Sequence, residues 1–467
     1  MTTTDAVPGG TLTAVEQRGI EPVPADERNG NPFQLFWVWF AANISVLGLP
    51  LGATLVALGL NIWQAVLVAF LGAFGSFALV GVVSVAGRRG GAPSMTLSRA
   101  VFGVRGNAGP TVVSLLSRLG WETVNTTTAA FVLLSLFSIA AGEEIAAKDS
   151  PVLTLVAIGV FVVCTLLVSG LGHAAILVIQ RWATWIFGAL NLVVAAFLIA
   201  TVDWDAVTAT PAGSWSAVLL GVGTIAAGTG IGWANAGADM ARYQKTSAKA
   251  AHLVASSAAG AGVPLLLLIA LGSLLTAGSP ELAEAPDPVA AIRAMLPAGM
   301  AVPYLIAAFG GLLLSNHLSV YSAGLTTLTL GVRVKRVYAV TLDVVVTFAG
   351  AIYFMLIAGD FYGPFIAFIS LLAIPITAWL GVFLVDMAKR RTYDPAALMD
   401  VRRTSGYWYR GGVEWRATGS WLAAIVLGYA MRGLGQDGTA WIATFIAAAV
   451  LYSVLGGART GRKETVA

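Results

Sequence analysis

Charge is what this chain has least of. Only 11% of its 467 residues are Asp, Glu, Lys or Arg, while 57% are hydrophobic. A water-soluble domain devotes about 25% to charge, so too little remains here to cover a surface facing water. Cysteine is nearly missing as well. The single Cys164, inside an apolar run, excludes an intramolecular disulfide and a thiolate metal cluster. No HExxH or nucleophile signature occurs, and the longest segments between apolar runs, 87–107, 278–298 and 388–416, are too short for an enzyme or receptor module. The loop that sets aromatics beside arginines, 388–416 with Tyr393, Tyr407, Trp408 and Tyr409 near Arg402, Arg403 and Arg410, reads as an interfacial stretch rather than a nucleotide platform, so the net charge of +4 is cytoplasmic-loop bias and not a nucleic-acid footprint. The first 30 residues lack the basic head and short apolar core of a cleaved signal. With Pro22, Pro24 and the mixed run Asp26, Glu27, Arg28, they read as a disordered or loosely docked cytoplasmic tail.

What is abundant is long apolar sequence. Twelve stretches, 34–58, 61–86, 108–138, 151–170, 173–200, 215–238, 252–277, 299–325, 338–358, 362–387, 417–434 and 439–456, reach or approach the roughly 20 residues that cross a bilayer. The loops between them alternate in sign. Twenty of the 27 Lys and Arg lie in 88–105, 242–249, 333–336, 389–416 and 459–463, whereas the intervening loops carry Glu143, Glu144, Asp149, Asp203, Asp205, Glu281, Glu284, Asp287, Asp360 and Asp437. Basic loops are retained in the cytoplasm, so the chain reads as an all-α polytopic membrane protein with twelve spans and both termini inside. Its 53 glycines fit close helix packing in a bilayer.

Interruptions show where such a bundle binds something. The first span contains GLPLG at 48–52, and the sixth contains Gly221, Gly223, Gly228, Gly230 and Gly232 just before Trp233. Spans one and six occupy corresponding places in a five-helix repeat, and matched breaks of this kind mark a substrate and ion site near the midplane. Glycines that serve packing alone are the plainer explanation. In the third span Trp121 and Asn125 are one helical turn apart. An indole offers a flat face to a planar ring, and a carboxamide offers donor and acceptor to its edge. Glu122, on a neighbouring face, pairs with Arg118 four residues earlier or carries a coupling proton. Trp233 and Asn235 stand near the second break; Asp239 and Arg242, further on, read as a gating or helix-end ion pair. The eighth span holds SNHLSVYS at 315–322, in which Ser315, Ser319 and Ser322 share a face and can supply cation ligands together with carbonyls freed around Asn43 to Gly48. Serines also tie helices together without binding anything. Asn316 is a candidate for the substrate edge, and His317 relays a proton or bonds a carbonyl. Gln180 and Arg181 in the fifth span read as members of an inner gate with Asp239, and His173 and Asp343 as interface residues.

The runs FAANISVLG (40–48), GRRGG (87–91), SRAVFG (98–103), GWETVN (120–125) and the 315–322 segment, in this order and spacing, resemble the nucleobase:cation symporter-1 family, nearest its purine/cytosine permease branch. The resemblance covers about 31–456. It implies a LeuT-like fold of the APC superfamily: two inverted five-helix repeats, 31–200 and 201–387, then a cytoplasmic loop and two peripheral helices in 388–456 and a cytoplasmic tail at 457–467. It implies import of cytosine or purines by symport through alternating access, with another planar heterocycle or vitamin-like solute as the alternative. It places the base between Trp121 and Trp233, with Asn125, Asn316 and Asn43 as further substrate contacts. A sodium site would fall on Asn43, Val46 and Ser315, with Ser319 added from the hydroxyl pattern. Glu122, Gln180, Asp239, Arg242 and His317 are the gating or coupling candidates. No cofactor is expected beyond a co-transported sodium ion or proton, and no nucleic acid or obligate protein partner; the expected setting is the plasma (inner) membrane.

Overall fold

The computed structural model describes residues 16, 18–169, 173–279, 282, 288–332, 334, 336–358 and 362–456. Its helices, in chain order, are α1 (Phe33–Asn43), α2 (Gly48–Ala57), α3 (Ile62–Gly90), α4 (Ser94–Phe102), α5 (Ala108–Ala141), α6 (Pro151–Ser169), α7 (His173–Ile199), α8 (Trp204–Ala209), α9 (Trp215–Ala226), α10 (Gly232–Ala234), α11 (Gly237–Ala241), α12 (Ala250–Gly278), α13 (Pro288–Ala294), α14 (Ala298–Thr329), α15 (Arg336–Ile352), α16 (Tyr362–Lys389), α17 (Pro395–Met399), α18 (Trp415–Gly433) and α19 (Asp437–Val454). Among the described residues, β pairing is confined to two isolated bridges. Satisfying every backbone group within the segment is what a chain in hydrocarbon must do.

Among the described residues, ten helical stretches are long and apolar enough to cross a bilayer, and α1 with α2, bent by 67° at their break, makes an eleventh. The expected stretch 417–434 does form a helix, α18, but it does not pass the same test of length and composition, so a count of twelve is not established. Lipid-facing side chains remain apolar: Val152, Leu167, Ile186, Leu192, Val426 and Val454 are exposed.

Local chemistry sets the ends of the long helices. Asn61 and Gln64 form a reciprocal capping box at the start of α3, which stops at Gly91 with φ 63°. The second helix lies directly on the backbone of α12: a side chain on Gly52 would collide with Ile269 O, and one on Gly272 with Leu49 O. Close backbone approach through small residues is how membrane helices gain dispersion contact without a hydrophobic driving force.

The basic loops gather on one face. Arg88 donates to Ala248 O, Arg89 to Met387 O at 2.8 Å, and Arg99 to Thr329 O at 2.8 Å and Leu398 O at 2.9 Å. On the opposite face Gln64 exchanges hydrogen bonds with Gly213 at 2.9 and 2.7 Å. The described residues before α1 depart from the expected disordered or loosely docked tail. Val23 is fully buried and its amide donates to Gly91 O at 2.8 Å, so 18–31 is packed onto the basic face.

Candidate functional site

Two breaks in the helical ladder organise the centre of the bundle. Residues 44–47 separate α1 from α2, and α14 passes against them at Gly311, where an added Cβ would stand 2.6 Å from Ile44 O. Between α9 and α10 the chain makes a wide π turn, Ala227–Ile231, in which Thr229 leaves helical geometry at φ −128°, ψ −106°. The Thr229 hydroxyl donates to Ile225 O at 2.6 Å, and Ser76 of α3 accepts from the Gly230 amide at 3.1 Å. Non-helical backbone at membrane depth survives where protein buries it.

Trp121 lies against the second break. Its Nε1 would be 2.9 Å from a Cβ on Gly232, and its ring packs with Leu47, Val124, Phe368 and Ile369. Trp121 and Trp233 are therefore brought to the same place, but Trp233 is only 8% exposed and is already flanked on two sides. The Arg118 guanidinium stands 4.2 Å over its ring, and Trp39 meets it edge to face at 5.5 Å. One turn above Trp121, Asn125 Nδ2 is 3.5 Å from Asn316 Oδ1, and Asn316 Nδ2 donates to Thr165 Oγ1 at 3.1 Å. Asn125 Oδ1 and both side-chain polar atoms of Asn235 have no hydrogen-bond partner among the described residues.

The charged residues are arranged otherwise than the sequence reading expects. Arg118 and Glu122, four apart and both fully buried, do not reach ion-pair distance; Arg118 turns to Gly232 O instead. Glu122 sits near Ser319 and Asp343, yet neither of its oxygens is in hydrogen-bonding geometry, because the Ser319 hydroxyl donates to Arg118 O at 3.3 Å. Asp239 and Arg242 also have separate partners. Asp239 accepts from the Ser94 amide at 2.8 Å and from Ser322 at 2.7 Å, while Arg242 pairs with Glu16 at 2.6 Å. Gln180 donates to Leu314 O at 3.2 Å. Its neighbour Arg181 is exposed, which removes it from an inner gate; the His173 side chain lies outside the described residues. Asp343 is buried rather than interfacial and accepts from Thr327 at 3.2 Å. His317 is buried beside the Cys164 backbone without reaching hydrogen-bonding geometry.

Of the candidate cation ligands, Asn43 uses its amide to close α1, donating to Trp39 O at 2.8 Å. Val46, Ser315 and Ser319 are buried, on the break and on the helix that crosses it. Two contributors had no signal in the sequence. Phe368 is one of five aromatics in the apolar run of α16, and its ring fills the space over Gly120. Glu16 is one acid in a polar segment before the first span.

Comparison with known proteins accounts for this architecture. A putative purine-cytosine permease of Bacillus subtilis strain 168 is 28% identical, covering 94% of this chain and 96% of its own. The purine-cytosine permease fcyB of Emericella nidulans is 27% identical over 55% of this chain and 49% of its own. Among solved structures, the nucleobase-cation-symport-1 transporter MHP1, closed with bromovinylhydantoin bound, superposes with TM-score 0.73 at 19% identity, covering 93% of each chain. A sodium-coupled sialic acid symporter superposes with TM-score 0.63 at 14% identity, over 93% of this chain and 92% of its own. The family model described as permease for cytosine/purines, uracil, thiamine, allantoin matches residues 22–455, and the chain therefore belongs to that family, nucleobase:cation symporter-1.

Proposed function

We propose that this protein imports cytosine or a purine by cation symport, with two inverted repeats, 31–200 and 201–387, alternating access to a site between the broken helices. The observation that supports this most directly is the seating of the Trp121 indole on Gly232, one turn from the Asn125 and Asn316 carboxamides. A planar ring stacked on that indole meets amide donors and acceptors at its edge, which is the chemistry a neutral base requires. Trp233 is the second aromatic. Its open access depends on Arg118 moving off its face, so base binding and the Arg118 contact with Gly232 O compete in this reading.

The cation would lie between the 43–47 break and α14, with Asn43, Val46, Ser315 and Ser319 as the oxygen-bearing positions; backbone carbonyls and hydroxyls suit sodium. Glu122, Gln180, Asp239, Arg242 and His317 remain the coupling and gating positions, with Glu122 the one able to take a proton in sodium's place. Coupling is reciprocal: a cation that strengthens base binding is itself bound more tightly by the same factor when base is present. The gathered basic loops support a cytoplasmic position for both termini and a plasma-membrane setting. A second reading, transport of another planar heterocycle or a vitamin-like solute, is favoured by the breadth of the family description, which includes thiamine and allantoin.

Radiolabelled cytosine uptake into proteoliposomes, with sodium and proton gradients imposed separately, tests the proposal. Accumulation driven by one gradient and suppressed by unlabelled adenine or guanine is the expected result. Folded protein that neither accumulates cytosine nor binds any purine would transfer the substrate to the second reading.

A further inference from the structure

The residues before α1 hold a buried charge that no transport step uses. Glu16 Oε1 accepts from Arg242 Nη2 at 2.6 Å, Tyr243 OH at 2.7 Å and Tyr321 OH at 3.3 Å. The ion pair is sealed, with side chains 0% and 3% exposed for Arg242 and Glu16. Arg242 also donates to Gly19 O at 2.6 Å. Burial alone would lower the Arg242 guanidinium, but facing Tyr321, Tyr243 and Glu16 raise it above its ordinary value, so it stays a cation.

Three parts of the basic face, and the entry to α1, are joined through this one segment. Besides Arg242 and Tyr321 of α14, residues 18–31 reach the α3–α4 turn, where Val23 bonds Gly91 and Arg28 donates to Arg88 O at 2.9 Å. They also reach the stretch after α11: the Gly30 amide donates to Tyr243 O at 2.9 Å, the Lys245 amide to Gly30 O at 3.1 Å, and Gln244 Nε2 to Asn31 O at 3.2 Å. Phe33, the first residue of α1, follows two residues later. The entry to the broken helix is thus tied to the α11 end of the other broken region, and the same segment is pinned to α14 one residue before Ser322, the partner of Asp239. No movement of α1 away from α11 on this face is possible while those contacts hold.

We propose that Glu16 and residues 18–31 form a latch that keeps the basic face of the bundle shut, and that withdrawal of Glu16 from Arg242 is a required step of opening there. The inference rests on the alternating-access reading above. Its chemistry is suited to a reversible step. Breaking a buried ion pair inside protein leaves an uncompensated charge, whereas withdrawal here lets water reach both ions as the face opens. The latch is covalently tethered to α1, so its rebinding is intramolecular and fast.

The test is a reporter cysteine, Thr326→Cys in a Cys164→Ala full-length chain, reacted with a membrane-impermeant maleimide presented to the basic face. Thr326 is 2% exposed on α14, one turn beyond Ser322, and the latch covers this end, since a Cβ on Gly19 would stand 3.2 Å from Leu328 Cδ1. Glu16→Gln and Glu16→Ala are expected to raise the labelling rate about tenfold or more, the scale of losing hydrogen bonds to a charged group. Arg402→Ala, which removes the exposed pair with Asp400 outside the latch, is expected to change it less than about twofold. Unchanged labelling in both folded Glu16 variants overturns the latch. In the unsubstituted chain, the Val23 and Lys245 amides are expected to exchange hydrogen together as one opening unit; independent exchange overturns it equally, even where a variant fails to fold. A reporter that opens while no base is carried leaves the latch standing and removes the nucleobase reading. Base uptake with an unmoved reporter removes the latch alone.

Discussion

Trp121 reaches the second helix break because Gly232 has no side chain to hold it off, and the two amides one turn away complete a surface with one flat face and one polar edge. Trp121→Ala is expected to weaken cytosine binding by about 1–3 kcal/mol, the range for base–aromatic stacking, measured by equilibrium binding to purified protein; unaltered affinity would move the site elsewhere. Arg118 is the opposing case. It is fully buried, donates to Gly232 O and lies over Trp233, and Glu122 sits close by without an ion pair. Arg118→Gln removes the cation near a buried acid and is expected to destabilise the protein by about 3–5 kcal/mol if Glu122 is ionised; an additional Glu122→Gln exchange should then recover part of the loss in thermal melts. Spacing made Trp121 and Asn125 legible as one helical face, since four residues fix a direction on a helix. It gave no means of pairing Arg118, because i,i+4 neighbours can meet but which acceptor a long guanidinium reaches depends on what the other helices place beside it. Here that acceptor is a carbonyl supplied by another helix.

The broken elements owe their form to backbone held by neighbours. In the π turn, an added Cβ on Gly230 would stand 2.5 Å from the Ser76 carbonyl carbon and 2.6 Å from the Phe77 nitrogen, so Gly230→Ala must push the turn off α3. Loss of transport with lowered melting temperature is the expected outcome. Gly75→Ala serves as its counterpart on α3, where nothing lies within 4 Å; there a methyl should leave uptake unchanged and stabilise the helix by about 0.5–1 kcal/mol. Equal effects at the two positions would contradict this account of the break. Glycine content marked the second interruption, whereas the GLPLG run expected to be the first lies just past it, inside α2; the 67° bend of α1 against α2 and the Thr229 dihedral depend on what α14 and α3 present to them. Phe368 was illegible for a related reason: one of several aromatics in a helix apolar all round, it has no periodicity to reveal which way it faces.

At the scale of the whole molecule, the basic face is a closed structure rather than a set of solvated loops. Asp386 at the end of α16 accepts from Arg390 Nε at 2.7 Å and from Tyr452 OH of α19 at 3.0 Å, and Arg390 also donates to Ala100 O of α4 at 3.0 Å. Asp386→Asn is expected to destabilise the protein by about 3–5 kcal/mol, as breaking one side of a buried pair does, seen as a lower melting temperature in detergent; a melt unchanged within error would show that Arg390 is held by its carbonyl contacts alone. The amino-acid sequence by itself determined the membrane class, the order of the apolar helices, the gathering of positive loops on one side and the family. Each of these follows from composition and one-dimensional spacing, because hydrocarbon admits only long apolar helices and fixes their number of residues. Tertiary structure alone decided which charges pair, that Trp233 lies under Arg118, that Phe368 packs beside Trp121, and that Glu16 and residues 18–31 pack onto the basic face. Those outcomes depend on distances between residues as far apart in sequence as Glu16 and Arg242, which no local pattern encodes.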